Sequence, residues 1–311
     1  MLGLSGLHRR AALLRLVRRF FEDEGFLEVD TPVRLPLAIP ERHIKLIEAE
    51  GQYLQASPEL CMKRLLARGC TPIFQIGRCF RKGERGRRHL EEFTMIEWYR
   101  SDCDYRQLMA DCRALCRYLQ REWPQDPRRV ESTGLRSIFP SIDVHGEWQR
   151  VTVEEAFVRY SPRPLSAALH EDCFDELLCE YVEPHLGQGC PTFLYDYPRA
   201  LASLSRPKPG DPQLAERFEL YIGGVELANG FSELNDDVEQ RQRFSEEIKA
   251  IHAAGGTEME MPEVFLDDLR HLPEAAGIAL GIDRLAMIAF DASDISQVVP
   301  FNPEDFPTLS P

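Results

Sequence analysis

Apolar and polar positions along the chain follow two different periods, and each period predicts a different kind of element. Over residues 7–24 the apolar side chains recur at helical spacing, which predicts an amphipathic helix that ends at Gly25. Short runs of alternating character at 26–29 and 52–56 predict two strands. A helix is therefore expected to open the chain, followed by extended segments.

The remaining elements follow from the same two periods. A helix is expected from Ser57, as its N-cap, and Pro58, as its first residue, to about Ala67. Residues 123–190 are expected to form an inserted, partly helical segment. The other predictions are strands on both sides of the loop at 80–93, a helix at 105–121, a strand at 192–198, a loop at 205–212, a hairpin around Gly223-Gly224, a helix at about 237–253, and a strand that runs into a helix over 277–290.

The composition is that of a globular protein, with 43% hydrophobic and 28% charged residues among 311. No apolar run reaches the roughly 18–20 residues of a membrane span, and arginines within the N-terminal apolar stretch argue against a secretory signal. Nine cysteines without a CxxC pair argue against a disulfide framework or a zinc site, so a reducing, cytoplasmic compartment is expected. Cys112 and Cys116, one helical turn apart, are interpreted as packing residues.

The net charge of −14 is unevenly distributed. Residues 1–130 carry 24 Lys+Arg against 18 Asp+Glu, a balance of +6, whereas residues 131–311 carry 13 against 33, a balance of −20. A basic first half within an acidic chain favours a local anionic ligand over a general nucleic-acid coat.

The runs on either side of Gly223-Gly224 predict a hairpin with a two-residue turn. This turn pairs Tyr221 with Glu226 and places Glu219 on the same face as Glu226. Two neighbouring carboxylates repel each other unless a cation lies between them, and a hard divalent ion would suit them. The alternative is a pair of solvent-facing glutamates on an edge hairpin.

The loop at 80–93 and its flanks are dense in donors that suit a polyphosphate, since guanidinium groups bind pairs of phosphate oxygens. Phe93 at its end could offer a face to a purine ring, and the alternative is a charged surface hairpin. The donors are Arg78, Arg81, Lys82, Arg85, Arg87, Arg88 and His89.

A third feature is GIALGIDRL, in which Gly281 precedes a predicted helix and permits the close approach of a ligand. Asp283 and Arg284 would lie in the first turn of that helix. Many buried strand-to-helix junctions share this pattern, so the feature gains meaning only beside the other two.

In order along the chain, the strand that ends at Pro32, the loop FR…H…F and the glycine–Asp–Arg junction resemble motifs 1, 2 and 3 of the class II aminoacyl-tRNA synthetases. SPELCMKRLL, EFTMIEWY, RFELYIGGVELANGFSELND and GIALGIDRL resemble segments of the lysyl-tRNA synthetases. The resemblance implies an α+β fold, a catalytic core with an antiparallel sheet flanked by helices, in a single domain over 1–311.

A lysyl-tRNA synthetase carries an anticodon-binding domain ahead of its catalytic domain, whereas motif 1 lies here within residues 1–32. The chain therefore resembles the elongation factor P lysine ligase family, which attaches β-lysine to a lysine of that translation factor. Ser57, where the tRNA enzymes usually have Ala, and Trp98 favour the same family. The resemblance implies ATP and Mg²⁺ as cofactors, lysine or β-lysine as substrate and elongation factor P as protein partner, and it argues against tRNA as acceptor and against a membrane.

The resemblance also implies roles for individual residues. Arg81, Glu226 and Arg284 would be catalytic: Arg81 would hold the α-phosphate and the substrate carboxylate. Arg284 would cover one face of adenine while Phe93 stacks on the other, and Glu219 and Glu226 would hold Mg²⁺. The implied ATP-binding set is Arg81, Lys82, Gly83, Glu84, His89, Leu90, Phe93, Glu226, Leu227, Gly281 and Arg284.

By the same resemblance His89 would reach the outer phosphates. The amino-acid subsite would comprise Ser57, Pro58 and Glu59 at the backbone amine, Asn229 at the carboxylate, and Glu97, Tyr99 and Glu233 at the side-chain ammonium. A buried ammonium without a carboxylate partner is very costly, so a pocket for lysine requires at least one.

Two features do not fit the family pattern. Gly83 stands where F-R-x-E has its glutamate, with Glu84 one position later, and Leu90-Glu91 replaces the usual Asn-Pro. Simple strand alternation also places Asn229 on the face opposite Glu226, unless the strand bends at the following glycine.

Three functions stay open at this point. The leading hypothesis is a ligase that modifies elongation factor P, and the second is a truncated synthetase that charges tRNA or a small amine with lysine. The third, an inactive regulatory paralogue, is disfavoured by the presence of Arg81, Glu219, Glu226 and Arg284. Residues 26–32 resemble the motif that builds the class II interface, so a homodimer is expected.

Overall fold

The computed structural model describes residues 1–123, 138–256 and 259–306. Its helices are α1 (Leu4–Asp23), α2 (Glu59–Leu66), α3 (Tyr105–Glu122), α4 (Val153–Tyr160), α5 (Leu165–His170), α6 (Phe174–Leu177), α7 (Asp237–Ala253), α8 (Glu263–Leu269) and α9 (Ile282–Phe290). Its strands are β1 (Leu27–Glu28), β2 (Arg34–Leu35), β3 (Ile47–Ala49), β4 (Gln52–Leu54), β5 (Ile73–Phe80), β6 (Glu92–Ser101), β7 (Gln149–Thr152), β8 (Thr192–Pro198), β9 (Pro207–Lys208), β10 (Asp211–Ile222), β11 (Val225–Ser232) and β12 (Ala275–Gly281).

One large sheet organises the molecule. Its strands run in the order β1-β5-β6-β12-β11-β10-β8-β7, with β9 beside β10. All central neighbours are antiparallel, and only the two edge pairs, β1 with β5 and β7 with β8, are parallel. A separate three-stranded sheet has the order β2-β4-β3. The predicted α+β fold with a largely antiparallel sheet is confirmed.

Helices α1, α3 and α9 pack on one face of the large sheet and form the main core with it. Phe21 of α1 is fully buried, and its ring centre lies 5.1 Å from that of Phe74 and 4.9 Å from that of Trp98. Burial of a side chain of this size stabilises the fold by roughly 2–3 kcal/mol. This aromatic cluster fixes α1 against β5 and β6.

The opposite face carries the polar residues of the sheet. Ile96 and Trp98 belong to the main core, so the period-2 alternation of β6 directs Glu97 and Tyr99 to the other side. Tyr99 packs there in a smaller core with α2 and α8. The predicted subsite residues of β6 therefore lie between the sheet and α2.

Most predicted elements are confirmed, and two details are wrong. Residues 205–212, expected as a loop, contain β9 and the start of β10. Helix α2 has Pro58 as its N-cap, and Ser57 instead precedes the cap and accepts a hydrogen bond from the Glu59 N–H at 3.0 Å. The confirmed elements are the helix before Gly25, the strands around residues 80–93, the helix at 105–121, the strand at 192–198, the hairpin, the helix at 237–253 and the closing strand and helix.

The expected inserted segment at 123–190 is only partly covered, because residues 124–137 lie outside the described part of the chain. The covered part contains β7 and α4–α6, and these helices form a second core with β8. Within the described ranges no helix is both long and apolar enough to cross a membrane. All nine cysteines are free thiols, and Cys112 and Cys116 are buried packing residues, as predicted.

Candidate active site

A cavity of about 280 Å³ opens between the β5–β6 loop, strands β11 and β12, and the start of α9. Asn229, predicted at the substrate carboxylate, lines it. Lys82 and Gly83 lie in the exposed part of the loop and do not line it. The predicted nucleotide residues that do line it are Arg81, Glu84, His89, Leu90, Phe93, Glu226, Leu227, Gly281 and Arg284.

A β-bulge in the hairpin decides which side chains reach this cavity. Tyr221 pairs with Glu226, as predicted, but the register then shifts by one residue, so Leu227 has no partner in the ladder. Leu227 and the alanine after it both join the main core, and Asn229 returns to the face of Glu226. The bulge at Leu227 therefore places Asn229 and Glu226 on the same face of the sheet. A bend at Gly230 is not needed for this.

The two carboxylates predicted to hold Mg²⁺ lie on this hairpin, and each has a guanidinium partner. Arg217 Nη2 donates to Glu219 Oε1 at 2.8 Å, and Arg284 Nη1 donates to Glu226 Oε2 at 2.9 Å. Burial and then the charge of Glu226 raise the pKa of Glu219. Burial would raise the pKa of Glu226 too, but the nearby arginines, Arg284 first among them, together outweigh burial and lower the pKa. Glu226 is therefore the more firmly ionised of the two.

This donor set fits a hard divalent cation that also binds phosphate. Glu219 and Glu226 contribute carboxylate oxygens on one face, and the cavity beside Glu226 has room for phosphate oxygens that would complete the coordination shell. Among the residues that the structure describes, no group of three or more His, Cys, Asp or Glu forms a self-contained metal site. The pair would therefore hold Mg²⁺ together with a polyphosphate.

Arg284, at the start of α9, joins the loop to the hairpin. It donates to the backbone oxygen of Glu226 at 2.8 Å and lies 2.6 Å from His89 Nε2. Burial and then the positive charge of Arg284 lower the pKa of His89, so the imidazole is neutral at neutral pH. A Cβ on Gly281 would meet the Arg284 side chain at an ordinary 3.6 Å, so any need for glycine at this position would come from a ligand.

The β5–β6 loop is braced by its own side chains. Glu91 Oε1 accepts a hydrogen bond from the Gly83 N–H at 2.7 Å, and Gly83 turns the chain with a φ of 79°. Arg81 lies 3.8 Å from Glu84, and its guanidinium is 5.3 Å from the centre of the Phe93 ring. Glu84, one position after the family's glutamate, is therefore the acidic residue of this loop that faces the cavity.

The predicted amino-acid residues gather around the N-terminus of α2. Ser57 Oγ donates to Glu97 Oε1 at 2.5 Å, and the Tyr99 hydroxyl donates to Glu97 Oε2 at 2.8 Å. Burial and then the charge of Glu59 raise the pKa of Glu97 to about 8. Ser57 and Glu59 line a smaller cavity of about 30 Å³, whereas Pro58 lines neither cavity.

An internal lysine lies among these carboxylates. Lys63, only 2% exposed, places Nζ 2.5 Å from Glu59 Oε1 and 2.6 Å from Glu233 Oε2. Burial would lower the pKa of Lys63, but the charges of Glu233 and Glu59 outweigh it and raise the pKa. Burial raises the pKa of Glu233 to about 8, although Lys63 acts against this shift. Lys63 therefore pairs with two of the three buried carboxylates, and the third, Glu97, accepts from two hydroxyls instead.

Gly277 in β12 permits this packing. A Cβ at this position would lie 2.2 Å from the Tyr99 ring and 2.5 Å from Glu233 Oε1. Neither group has space to retreat, because Tyr99 is 2% and Glu233 1% exposed. Only glycine fits here.

Sequence reasoning missed Lys63, Arg217 and Glu41. Lys63 follows Glu59 by one helical turn, a spacing that predicts an ion pair on α2. Glu41 lines the smaller cavity beside Glu59, where burial and then the charge of Glu59 raise its pKa to about 7. The segment around Glu41 has no periodic pattern, so no sequence signal points to it.

Known proteins are similar to this sequence along almost the whole chain. Residues 5–305 match the family described as tRNA synthetases class II (D, K and N). An elongation factor P–(R)-β-lysine ligase from Pectobacterium carotovorum subsp. carotovorum is 39% identical over 320 residues, which cover 97% of this chain and 96% of that protein. Proteins of the same name from Hamiltonella defensa and Salmonella gallinarum are 37% identical, over 96% of this chain and 95% of their own. The chain therefore belongs to the class II tRNA synthetases, in the branch of the elongation factor P–(R)-β-lysine ligases.

Proposed function

We propose that this ligase uses ATP to activate lysine or β-lysine as an adenylate and transfers the activated group to a lysine side chain of elongation factor P. One observation carries the proposal: an arginine-lined cavity that suits a polyphosphate adjoins buried carboxylates that suit a diammonium substrate. The two regions adjoin next to Arg81: Phe80, the residue before it, donates its N–H at 2.9 Å to the carbonyl of Gln55, which lines the smaller cavity. The relatives are named for the same acceptor and the same amino acid.

The residues of the cavity would promote the first step by positioning and charge neutralisation. An oxygen of the substrate carboxylate attacks the α-phosphorus, and the bond from that phosphorus to the bridging oxygen breaks, so pyrophosphate leaves. Arg81 would bind both reacting groups, since its Nε is buried without a hydrogen-bond partner among the described residues. When bound, Mg²⁺ would neutralise charge on the phosphates, and Glu219 and Glu226 would hold it.

In the second step the ε-amine of the acceptor lysine attacks the carbonyl carbon of the mixed anhydride. The bond from that carbon to the phosphate oxygen breaks, AMP leaves, the amine loses a proton, and an amide forms. Arg87 and Arg88 are exposed on the β5–β6 loop beside the cavity, and Arg88 donates to the Gly224 carbonyl at 2.8 Å. These two guanidinium groups would bind an acidic surface of the acceptor protein.

The test of transfer is to incubate the enzyme with ATP and labelled lysine or β-lysine, once with purified elongation factor P and once with total tRNA. We expect label in a single lysine of the protein. Faster labelling of tRNA would replace this proposal with the second candidate, a truncated synthetase.

We further propose a cytoplasmic homodimer in which residues 1–311 act as a single catalytic unit. Strand β1 lies at the edge of the large sheet, and Leu27 on it is 59% exposed, which supports an interface there. Sedimentation of a monomer alone at micromolar concentration would contradict the dimer.

A further inference from the structure

Lys63 is the most deeply buried lysine among the described residues. The proposed formation of the adenylate gives it no role. Its ammonium contacts Glu59, on the first turn of α2, and Glu233, which follows β11. Apolar residues of similar volume usually stabilise a core as well as or better than a buried ion pair. The presence of a charge here therefore calls for a reason other than packing.

The carboxylates around Lys63 are held in two different ways. Glu97 receives two hydrogen bonds from neutral hydroxyls, those of Ser57 and Tyr99, which occupy one oxygen each. Glu59 and Glu233 instead each turn one oxygen to Lys63. Both oxygens of Glu233 are buried without a well-aligned hydrogen bond among the described residues, but Oε2 lies within ion-pair distance of Lys63, whereas Oε1 has neither kind of partner. A buried carboxylate oxygen without a donor is costly, so this oxygen is available to a cationic ligand.

We propose that Lys63 is a positioning residue of the amino-acid subsite: it holds one oxygen of Glu59 and one of Glu233, so that their other oxygens face the two ammonium groups of the substrate. This inference rests on the proposed function, because it requires a diammonium substrate. Lys63 itself touches neither the substrate nor ATP. It joins the carboxylate at the backbone-amine end to the one at the side-chain end.

The charge of Lys63 also keeps the subsite ready to bind. Burial favours the neutral form of Glu233, and the adjacent ammonium favours the ionised form that a substrate cation needs. Removal of the ammonium would therefore move ionisation of Glu233 to higher pH. A side chain that only filled space would have no such effect.

The experiment compares the parent with Lys63→Met, which keeps the volume, and Lys63→Arg, which keeps the charge. ATP–pyrophosphate exchange gives the KM for lysine, for β-lysine and for ATP between about pH 6.5 and 9, the range around the raised pKa of Glu233. The matched control is Lys208→Met, which removes a lysine paired with the buried carboxylate of Asp196, outside both cavities. It tests the cost of an orphaned carboxylate alone.

We expect Lys63→Met to raise the KM for the amino acid by about tenfold at neutral pH, the effect of one pKa unit in a required carboxylate. The KM for ATP should stay within about twofold, and the loss should shrink as pH rises. Lys63→Arg should recover part of the affinity, and Lys208→Met should leave both KM values unchanged.

An amino-acid KM for Lys63→Met within about twofold of the parent, or an equal rise in both KM values, would overturn the inference. Should Lys63→Met fail to fold, Lys63→Gln decides, because it removes the charge but keeps a hydrogen-bond donor: an unaltered amino-acid KM and pH profile in that variant would also overturn the inference. A parent enzyme that shows no exchange with either isomer would instead refute the proposed function itself.

Discussion

The proposed nucleotide cavity and the proposed amino-acid subsite adjoin each other but balance their charges in opposite ways. In the cavity, Glu226 pairs with Arg284, and further arginines line the wall. Glu219, on the same hairpin, pairs with Arg217. In the subsite, Glu59, Glu97 and Glu233 are all buried, and the ammonium of Lys63 contacts two of them, Glu59 and Glu233. The cavity therefore presents positively charged groups to a ligand, whereas the subsite has more carboxylates than cations.

This difference indicates which ligand each region takes. Buried charge is tolerated when it is paired, so the charge that the protein leaves unpaired has to be supplied by the ligand. The excess of carboxylates suits a diammonium compound, and the arginines suit phosphate and carboxylate groups. The reacting groups would meet at Arg81, next to which the two regions adjoin.

The largest effect is expected from Glu226→Gln, which removes a proposed metal ligand and the ion-pair partner of Arg284. ATP–pyrophosphate exchange should fall by about a hundredfold or more, while thermal unfolding stays close to that of the parent. The control is Glu216→Gln, which lies on the neighbouring strand β10 and is paired with Arg206 outside the cavity. Exchange by Glu226→Gln within about threefold of the parent would refute the metal assignment.

A smaller effect is expected from a substitution in the proposed amino-acid subsite. Glu97→Gln removes a carboxylate from the subsite and should raise the KM for lysine by about tenfold or more, the cost of one charged hydrogen bond. The KM for ATP should not change. Glu92→Gln, exposed on the same strand beside Arg78, serves as control. A rise in the KM for ATP as large as that for lysine would show that the two regions are not separate.

The pH dependence of stability tests the raised pKa values of the buried carboxylates in the subsite. The pKa of Glu97 and that of Glu233 are each about 8 in the folded protein, against a usual value of 4.5. The folded state therefore binds more protons, and its stability falls between about pH 4.5 and 8, by at most about 1.4 kcal/mol per pH unit for each group. Chemical denaturation should show this slope in the parent and a shallower one in Glu97→Gln. Equal slopes would mean that Glu97 has an ordinary pKa.

The smallest effect concerns the choice between isomers. Ser57 Oγ already donates to Glu97 and accepts from the Glu59 N–H, so it has one acceptor position left for an amine displaced from the α-carbon. Ser57→Ala should improve α-lysine relative to β-lysine by about 1 kcal/mol, the net size of one hydrogen bond. The measurement is the ratio of the two kcat/KM values, and an unchanged ratio would exclude a role for Ser57 in this choice.

Local patterns were enough to predict most elements and much of the cavity. The register of the hairpin follows from its two-residue turn, which pairs Tyr221 with Glu226 whatever surrounds it. The strands around the arginine-rich loop follow from their alternation, and their antiparallel pairing brings Arg81 beside Phe93. The donor density of the loop also predicts Lys82 in the site, and the resemblance alone predicts Gly83 there. The loop, braced by Glu91, leaves both residues outside the lining of the cavity.

The bulge at Leu227 cannot be predicted from local sequence patterns. A bulge depends on which neighbours pack against both sides of a strand, and the alternation of residues 225–232 does not reveal it. It nevertheless decides that Asn229 lies beside Glu226.

The sequence by itself determined the order of the elements, the turn chemistry and the motifs that unite arginines and glutamates on one sheet, because these depend on residues close together in the chain. Only the tertiary structure decided how the charges are shared. Lys63 meets Glu233 across a large separation in sequence, and Glu41 reaches the subsite from an irregular segment. Burial and the nearest charges set a pKa, and both are properties of the folded molecule.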